Sequence, residues 1–188
     1  MTNILKSALL VALGLSLFAS CSDDRDDNPT VVSPTEFHLN TPALAGQYLD
    51  LEKSKTINFT CSQPDYGFPA STQYTLQVAF DENMTDYKEI DQTFKGAKLD
   101  VSSELLASAL TNYALEHGKT EADFPMDIQV YARARAVMTN VSGEPVEGTE
   151  ILSNVVKLSN VHLLYSLPPV KTPGKLNIVG QFCDWDWS

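Results

Sequence analysis

Residues 126–137, MDIQVYARARAV, constrain the fold of this chain more than any other stretch. Met126, Ile128, Val130, Ala132, Ala134 and Ala136 alternate with Asp127, Gln129, Tyr131, Arg133 and Arg135. A period of two puts the first set on one face of a strand and the second on the other. A strand with one apolar face must belong to a sheet that covers a core, so partner strands are required. Residues 53–62 (KSKTINFTCS) alternate at Ile57, Phe59 and Cys61, and residues 74–80 (YTLQVAF) place Tyr74, Leu76, Val78 and Phe80 on one side. Residues 153–163 (SNVVKLSNVHL) read as a closing strand, and 87–94 and 97–101 carry fainter strand patterns. Turn chemistry lies between them, in Pro64-Asp65-Tyr66-Gly67-Phe68-Pro69, in Gly143-Glu144-Pro145 and in Glu147-Gly148.

One segment breaks the pattern. In residues 102–117 (SSELLASALTNYALEH), Leu105, Leu106, Ala109, Leu110, Tyr113 and Ala114 recur at helical spacing. Ser102 or Ser103 suits the N-cap, Glu104 suits the positive end of the helix, and Gly118 suits C′. Short antiparallel strands, turn-rich connections and a length near ~100 residues favour a mainly β fold, an immunoglobulin- or fibronectin III-like β-sandwich with this one helix inserted. The sandwich is expected over residues 36–164. Nothing shows the inter-sheet Cys…Trp…Cys spacing of an antibody domain.

The first twenty residues stand outside that fold. Lys6 supplies a positive n-region, residues 8–18 (ALLVALGLSLF) form an apolar run, and Ala19-Ser20 precede Cys21. This is the layout of a secretory signal, and its run is shorter than the roughly 20 apolar residues of a membrane span. Leu17-Phe18-Ala19-Ser20-Cys21 resembles the bacterial lipobox, with Phe18 where Leu is more usual. Lipidation is therefore expected at Cys21 after cleavage of 1–20. Residues 21–35 then read as an acidic linker, Asp23-Asp24-Arg25-Asp26-Asp27 followed by Asn28-Pro29 and Ser33-Pro34.

The whole chain carries 13 basic and 24 acidic side chains, and loss of Lys6 with the signal leaves 12 basic ones. Such a field repels polyphosphate, so nucleic acid is not an expected partner. Neutral ligands such as sugars are indifferent to it. Of the three cysteines, Cys61 and Cys183 fall in different modules, which disfavours a disulfide between them. His38, His117 and His162 are scattered, no H-E-x-x-H, G-x-S-x-G or P-loop occurs, and Asp23 to Asp27 lacks the Gly and bidentate Glu of a calcium loop. No enzyme, metal site or cofactor is expected.

A second linker, residues 165–174, is stiffened by Pro168, Pro169 and Pro173. Residues 175–188 (KLNIVGQFCDWDWS) open a new strand and hold both tryptophans of the chain. A segment this short cannot bury two indoles by itself, so it reads as the truncated start of a further domain.

The lipidated Cys with its acidic follow-on, the sandwich strand around Tyr131 to Ala136, and the Pro-linked LNIVGQFCDWDW of residues 176–187 together resemble the SusE family of outer-membrane starch-binding lipoproteins. That resemblance implies a surface-exposed protein held in outer-membrane lipid through Cys21. It implies an immunoglobulin-like domain that does not bind sugar itself, followed by glycan-binding domains. It further implies a non-catalytic role in polysaccharide utilisation, with starch or another neutral polysaccharide and SusC/SusD-type transporter components as partners.

Trp185 and Trp187 are the carbohydrate-binding candidates, since an indole face stacks on the apolar face of a pyranose. Core packing in the following domain competes for Trp185 especially, which lies five residues after Gly180. Arg133 and Arg135 beside Tyr131 fit either a polar groove or a solvated face with cross-strand pairs to acids. Tyr66 and Phe68 could present rings to glycan or cover a sandwich edge. Two other functional classes stay open: a fibronectin-like module docking on protein, and the N-terminal part of a surface glycosidase.

Overall fold

The alternation of residues 126–137 becomes the central strand of a six-stranded sheet. In the computed structural model, which describes residues 30–168, the strands are β1 (Tyr48–Asp50), β2 (Thr56–Thr60), β3 (Thr72–Ala79), β4 (Lys88–Phe94), β5 (Lys98–Ser102), β6 (Met126–Met138), β7 (Ile151–Leu152) and β8 (Val156–Leu163). The helix α1 (Ser103–Glu116) lies between β5 and β6. The large sheet runs β1-β8-β6-β3-β4, with β7 also paired to β6, and β2-β5 form a second sheet. The described residues make a mainly β sandwich with one helix, as the sequence pattern requires.

Register follows burial. In β6, Val130, Ala132, Ala134 and Ala136 are buried, whereas Asp127 and Gln129 are exposed. Antiparallel pairing sets Leu76 beside Ala134 and Val130 beside Leu158. From the small sheet, Ile57, Phe59, Leu99 and Val101 meet this apolar face, so one core fills the space between the two layers. Fully burying a side chain of this size stabilises by roughly 1.5–3 kcal/mol.

The helix closes one end of that core. Leu106 and Leu110 project into it and are buried. Ser102 caps the N-terminus, its hydroxyl accepting from the Leu105 N–H at 3.4 Å. At the other end Gly118 adopts φ +83°. Its N–H donates to the Leu115 carbonyl, and the Lys119 N–H donates to the Ala114 carbonyl. That pair of bonds is a Schellman motif, which glycine permits without strain.

Two features depart from the sequence reading. β1 pairs in parallel with β8, aligning Leu49 with Val161 across 112 positions of chain. β3 is buried on both faces, for Thr75 and Gln77 are as enclosed as Leu76 and Val78. Polar side chains of the neighbouring strands, Arg133 of β6 and Glu89 of β4, hydrogen-bond Gln77 on either side.

Candidate functional site

Three site residues expected from sequence, Cys21, Trp185 and Trp187, lie outside the described residues. Among the described ones, the most elaborated surface is the outer face of the large sheet. Gln77 of β3 sits beside Arg133 of β6 and Glu89 of β4. The Arg133 Nε–H donates to Gln77 Oε1 at 2.7 Å, and Gln77 Nε2–H donates to Glu89 at 3.1 Å. The Arg133 guanidinium also lies 4.8 Å from the centroid of the Tyr87 ring. Arg135 pairs with Glu150 at 2.5 Å, a contact that raises the affinity of the guanidinium for its proton. Lys157 Nζ stands 5.8 Å from the centroid of the Tyr131 ring.

Arg135 thus pairs with an acid, though one in the loop before β7 and not its cross-strand neighbour Leu152, whereas Arg133 takes an amide and a ring. Sequence reasoning missed Gln77, Tyr87 and Glu150. Gln77 interrupts an otherwise apolar run, and that was the available signal. The opposite edge of the same face carries Tyr48, 55% exposed, whose ring centroid lies 5.7 Å from that of His162. His162 Nδ1 is 2.7 Å from an Asp127 carboxylate oxygen.

The remaining candidates do not converge. Tyr66 is buried at 1% exposure, which pushes its phenol up to about 12, and Phe68 is half-buried. Tyr66 therefore presents no free ring face as a glycan platform. His38 is exposed, and its backbone N–H donates to the Ser62 hydroxyl. His117 ends α1, with Nδ1 2.7 Å from the Tyr113 carbonyl oxygen and Nε2 3.1 Å from Asp86. Among the described residues no three His, Cys, Asp or Glu side chains gather as metal ligands would. Cys61 is a free, buried thiol pushed up to about 11 by desolvation.

Among the described residues, the carboxylates of Asp50, Asp100 and Asp123 are displaced downward. Lys53 holds Asp50 down, Lys98 and then Asn58 hold Asp100 down, and the Thr120 backbone N–H holds Asp123 down. The outer face of the sheet thus sets Tyr87, Tyr131 and Tyr48 beside Arg133, Lys157 and His162 respectively.

A second property is the position of the two chain ends on the sandwich. The incoming chain is fixed where Leu39 meets Asn154, whose amide accepts from the Leu39 N–H at 2.8 Å and donates to the Leu39 carbonyl at 3.1 Å. Asn154 stands just before β8, which ends at Leu163 at its other end. At 3.2–3.4 Å per residue, those points lie roughly 25–30 Å apart.

A family model described as SusE outer membrane protein matches residues 23–134. The match covers more than half of the chain, from the acidic segment through α1 and into β6. The family is associated with polysaccharide utilisation at the outer membrane and is not a known enzyme family. On that match the chain belongs to the SusE family of outer membrane proteins.

Proposed function

We propose that this chain is a non-catalytic, lipid-anchored glycan-binding protein of the outer-membrane surface, with the sandwich as its spacer. Cys21 carries the lipid, residues 21–35 form the acidic tether, and residues 165–174 link the sandwich to a glycan-binding domain that starts at 175. Trp185 and Trp187 are the sugar-stacking candidates of that domain, starch is the first glycan to test, and SusC/SusD-type components are the expected partners.

The observation that best supports the reading is the placement of the two ends. A module that holds the chain at Leu39 and carries it along β8 to Leu163, before residues 164–166 pack on the domain, puts its own length between anchor and ligand site. A domain with both ends at one pole would add almost nothing. The order β8-β6-β3-β4 facing β2-β5 supports the immunoglobulin-like assignment, since it follows the G-F-C-C′ path opposite B-E.

Affinity electrophoresis in starch gels tests the proposal, comparing this chain with a version extended through the downstream reading frame. Retardation of the extended version alone fits a spacer followed by binding domains, whereas retardation of neither removes starch. Cys21→Ser should release the protein from membranes or accumulate its precursor, and unchanged membrane fractionation would defeat the lipid anchor. Surface exposure predicts cleavage of the protein when intact cells are treated with protease. Tyr48, Tyr87 and Arg133 on one sheet face favour a second reading, docking on a protein partner, because such residues dominate protein interfaces. Capture of a transporter component by the sandwich, lost with Arg133→Ala, would favour it.

A further inference from the structure

After β8 the chain does not leave the domain at once. Tyr165 packs edge-on against Phe124, with ring centroids 5.4 Å apart. The Ser166 N–H donates to the Thr111 hydroxyl of α1 at 3.2 Å. Leu164, Tyr165 and Ser166 share a groove with Glu104 and Ala107 near the start of the helix. Two residues beyond Ser166, Pro168 forms part of a second groove of about 520 Å³, between α1 and the edge strand β4. Residues 164–168 therefore run as a strap along the helix and reach the mouth of that groove.

The groove has an apolar floor and an acidic wall. Leu105 and Ala109 of α1 supply the floor, Asn112 stands beside them, and Glu89 and Asp91 of β4 form the far side. The next residues in sequence are Pro169-Val170-Lys171-Thr172-Pro173. Prolines hold such a segment extended at low entropic cost, and extended polyproline advances 3.1 Å per residue. Lys171 then falls about 9 Å past Pro168. That length would suffice for Val170 to cover Leu105 and Ala109 and for the Lys171 ammonium to reach Glu89 or Asp91.

We propose that the groove between α1 and β4 is the docking site of this chain's own residues 169–173. Docking continues the strap, pairs Lys171 with the carboxylates of β4, and fixes the direction in which the chain departs. The sandwich then sets the orientation of whatever follows as well as its distance. This inference holds for any downstream ligand, and its test is blind to sugar.

The test is tryptic cleavage of the full-length protein after Lys171, followed by mass spectrometry, with a free peptide of residues 167–176 as the reference. Docking predicts cleavage at least ten-fold slower in the protein than in the peptide. Ala109→Arg, which fills the groove from the helix side, should return the rate to within about two-fold of the peptide. Glu89→Gln, which keeps an oxygen for Gln77, should recover part of the difference. Hydrogen exchange at the Val170, Lys171 and Thr172 amides supplies a second readout, slow in the parent and fast in the variants. Cleavage at the free-peptide rate overturns the proposal. So does protection that survives both substitutions, because another surface would then be responsible. Should Ala109→Arg lower the melting temperature, Glu89→Gln and the amide exchange decide alone.

Discussion

Replacing Asn154 by Ala probes how the incoming chain is held. Asn40 and Ser62 exchange backbone bonds with Thr60 and His38 on either side of Leu39. The Leu39 N–H and carbonyl face away from β2, and the Asn154 amide meets both at 2.8 and 3.1 Å. One side chain thus does what a neighbouring strand would do. Alanine removes two hydrogen bonds of about 1 kcal/mol each, and a buried backbone group left without a partner costs about 1–3 kcal/mol more. The bonds are part-buried, so water can reach some of the vacated space, and a loss of about 2–4 kcal/mol follows. Domains of this kind have roughly 5–15 kcal/mol in total, so the melting temperature should fall by roughly 10 °C. Asn154→Asp should be at least as damaging, because it sets a second oxygen against the Leu39 carbonyl. Urea unfolding followed by circular dichroism measures both variants. If each stays within about 0.5 kcal/mol of the parent, the level of an ordinary surface change, the clamp is not holding this pole.

Three further outcomes follow from particular contacts. Gly118→Ala meets no atom within 4 Å but must hold φ +83°, so it should cost about 1 kcal/mol through backbone strain alone, read as a lower urea midpoint with unchanged slope. Asp50 and Asp100 titrate below their unfolded values, so the stability they add is present above about pH 4 and is lost as pH falls through their folded values. Asp50→Asn with Asp100→Asn should lower the urea midpoint modestly at pH 7 and flatten its decline below pH 4, so that variant and parent converge at low pH. Cys61, buried with its thiol raised to about 11, should resist alkylation by iodoacetamide at pH 8 until the domain is unfolded in urea, and rapid labelling at Cys61 in the native protein, located by peptide mass spectrometry, would contradict its burial.

Much of the sandwich is legible locally. The spacing of Val130, Ala132, Ala134 and Ala136 declares a strand with one core face, and the structure buries that face. Ser102, Gly118 and the apolar positions between them declare α1, cap to cap. These features depend on neighbours a few residues away, so the sequence alone states them. The polar surface was only half legible. Arg133 and Arg135 announce an outward face, yet nothing near them names Gln77, Tyr87 or Glu150 as partners.

The sequence by itself determined the strand and helix periods, the caps and the layered class of fold, because backbone geometry converts spacing directly into faces. It also determined the apolar run, the cysteine behind it and the acidic character of the chain. Only the tertiary structure decided that Asn154 would stand in for a strand at Leu39, and that β3 would be covered on both sides. It alone decided that β1 would run parallel to β8 and that the chain would leave along α1. Each of these joins residues far apart in sequence. A single short side chain such as Asn154 reads like any loop residue until the sheets have packed and brought an unmatched backbone amide within 3 Å of it.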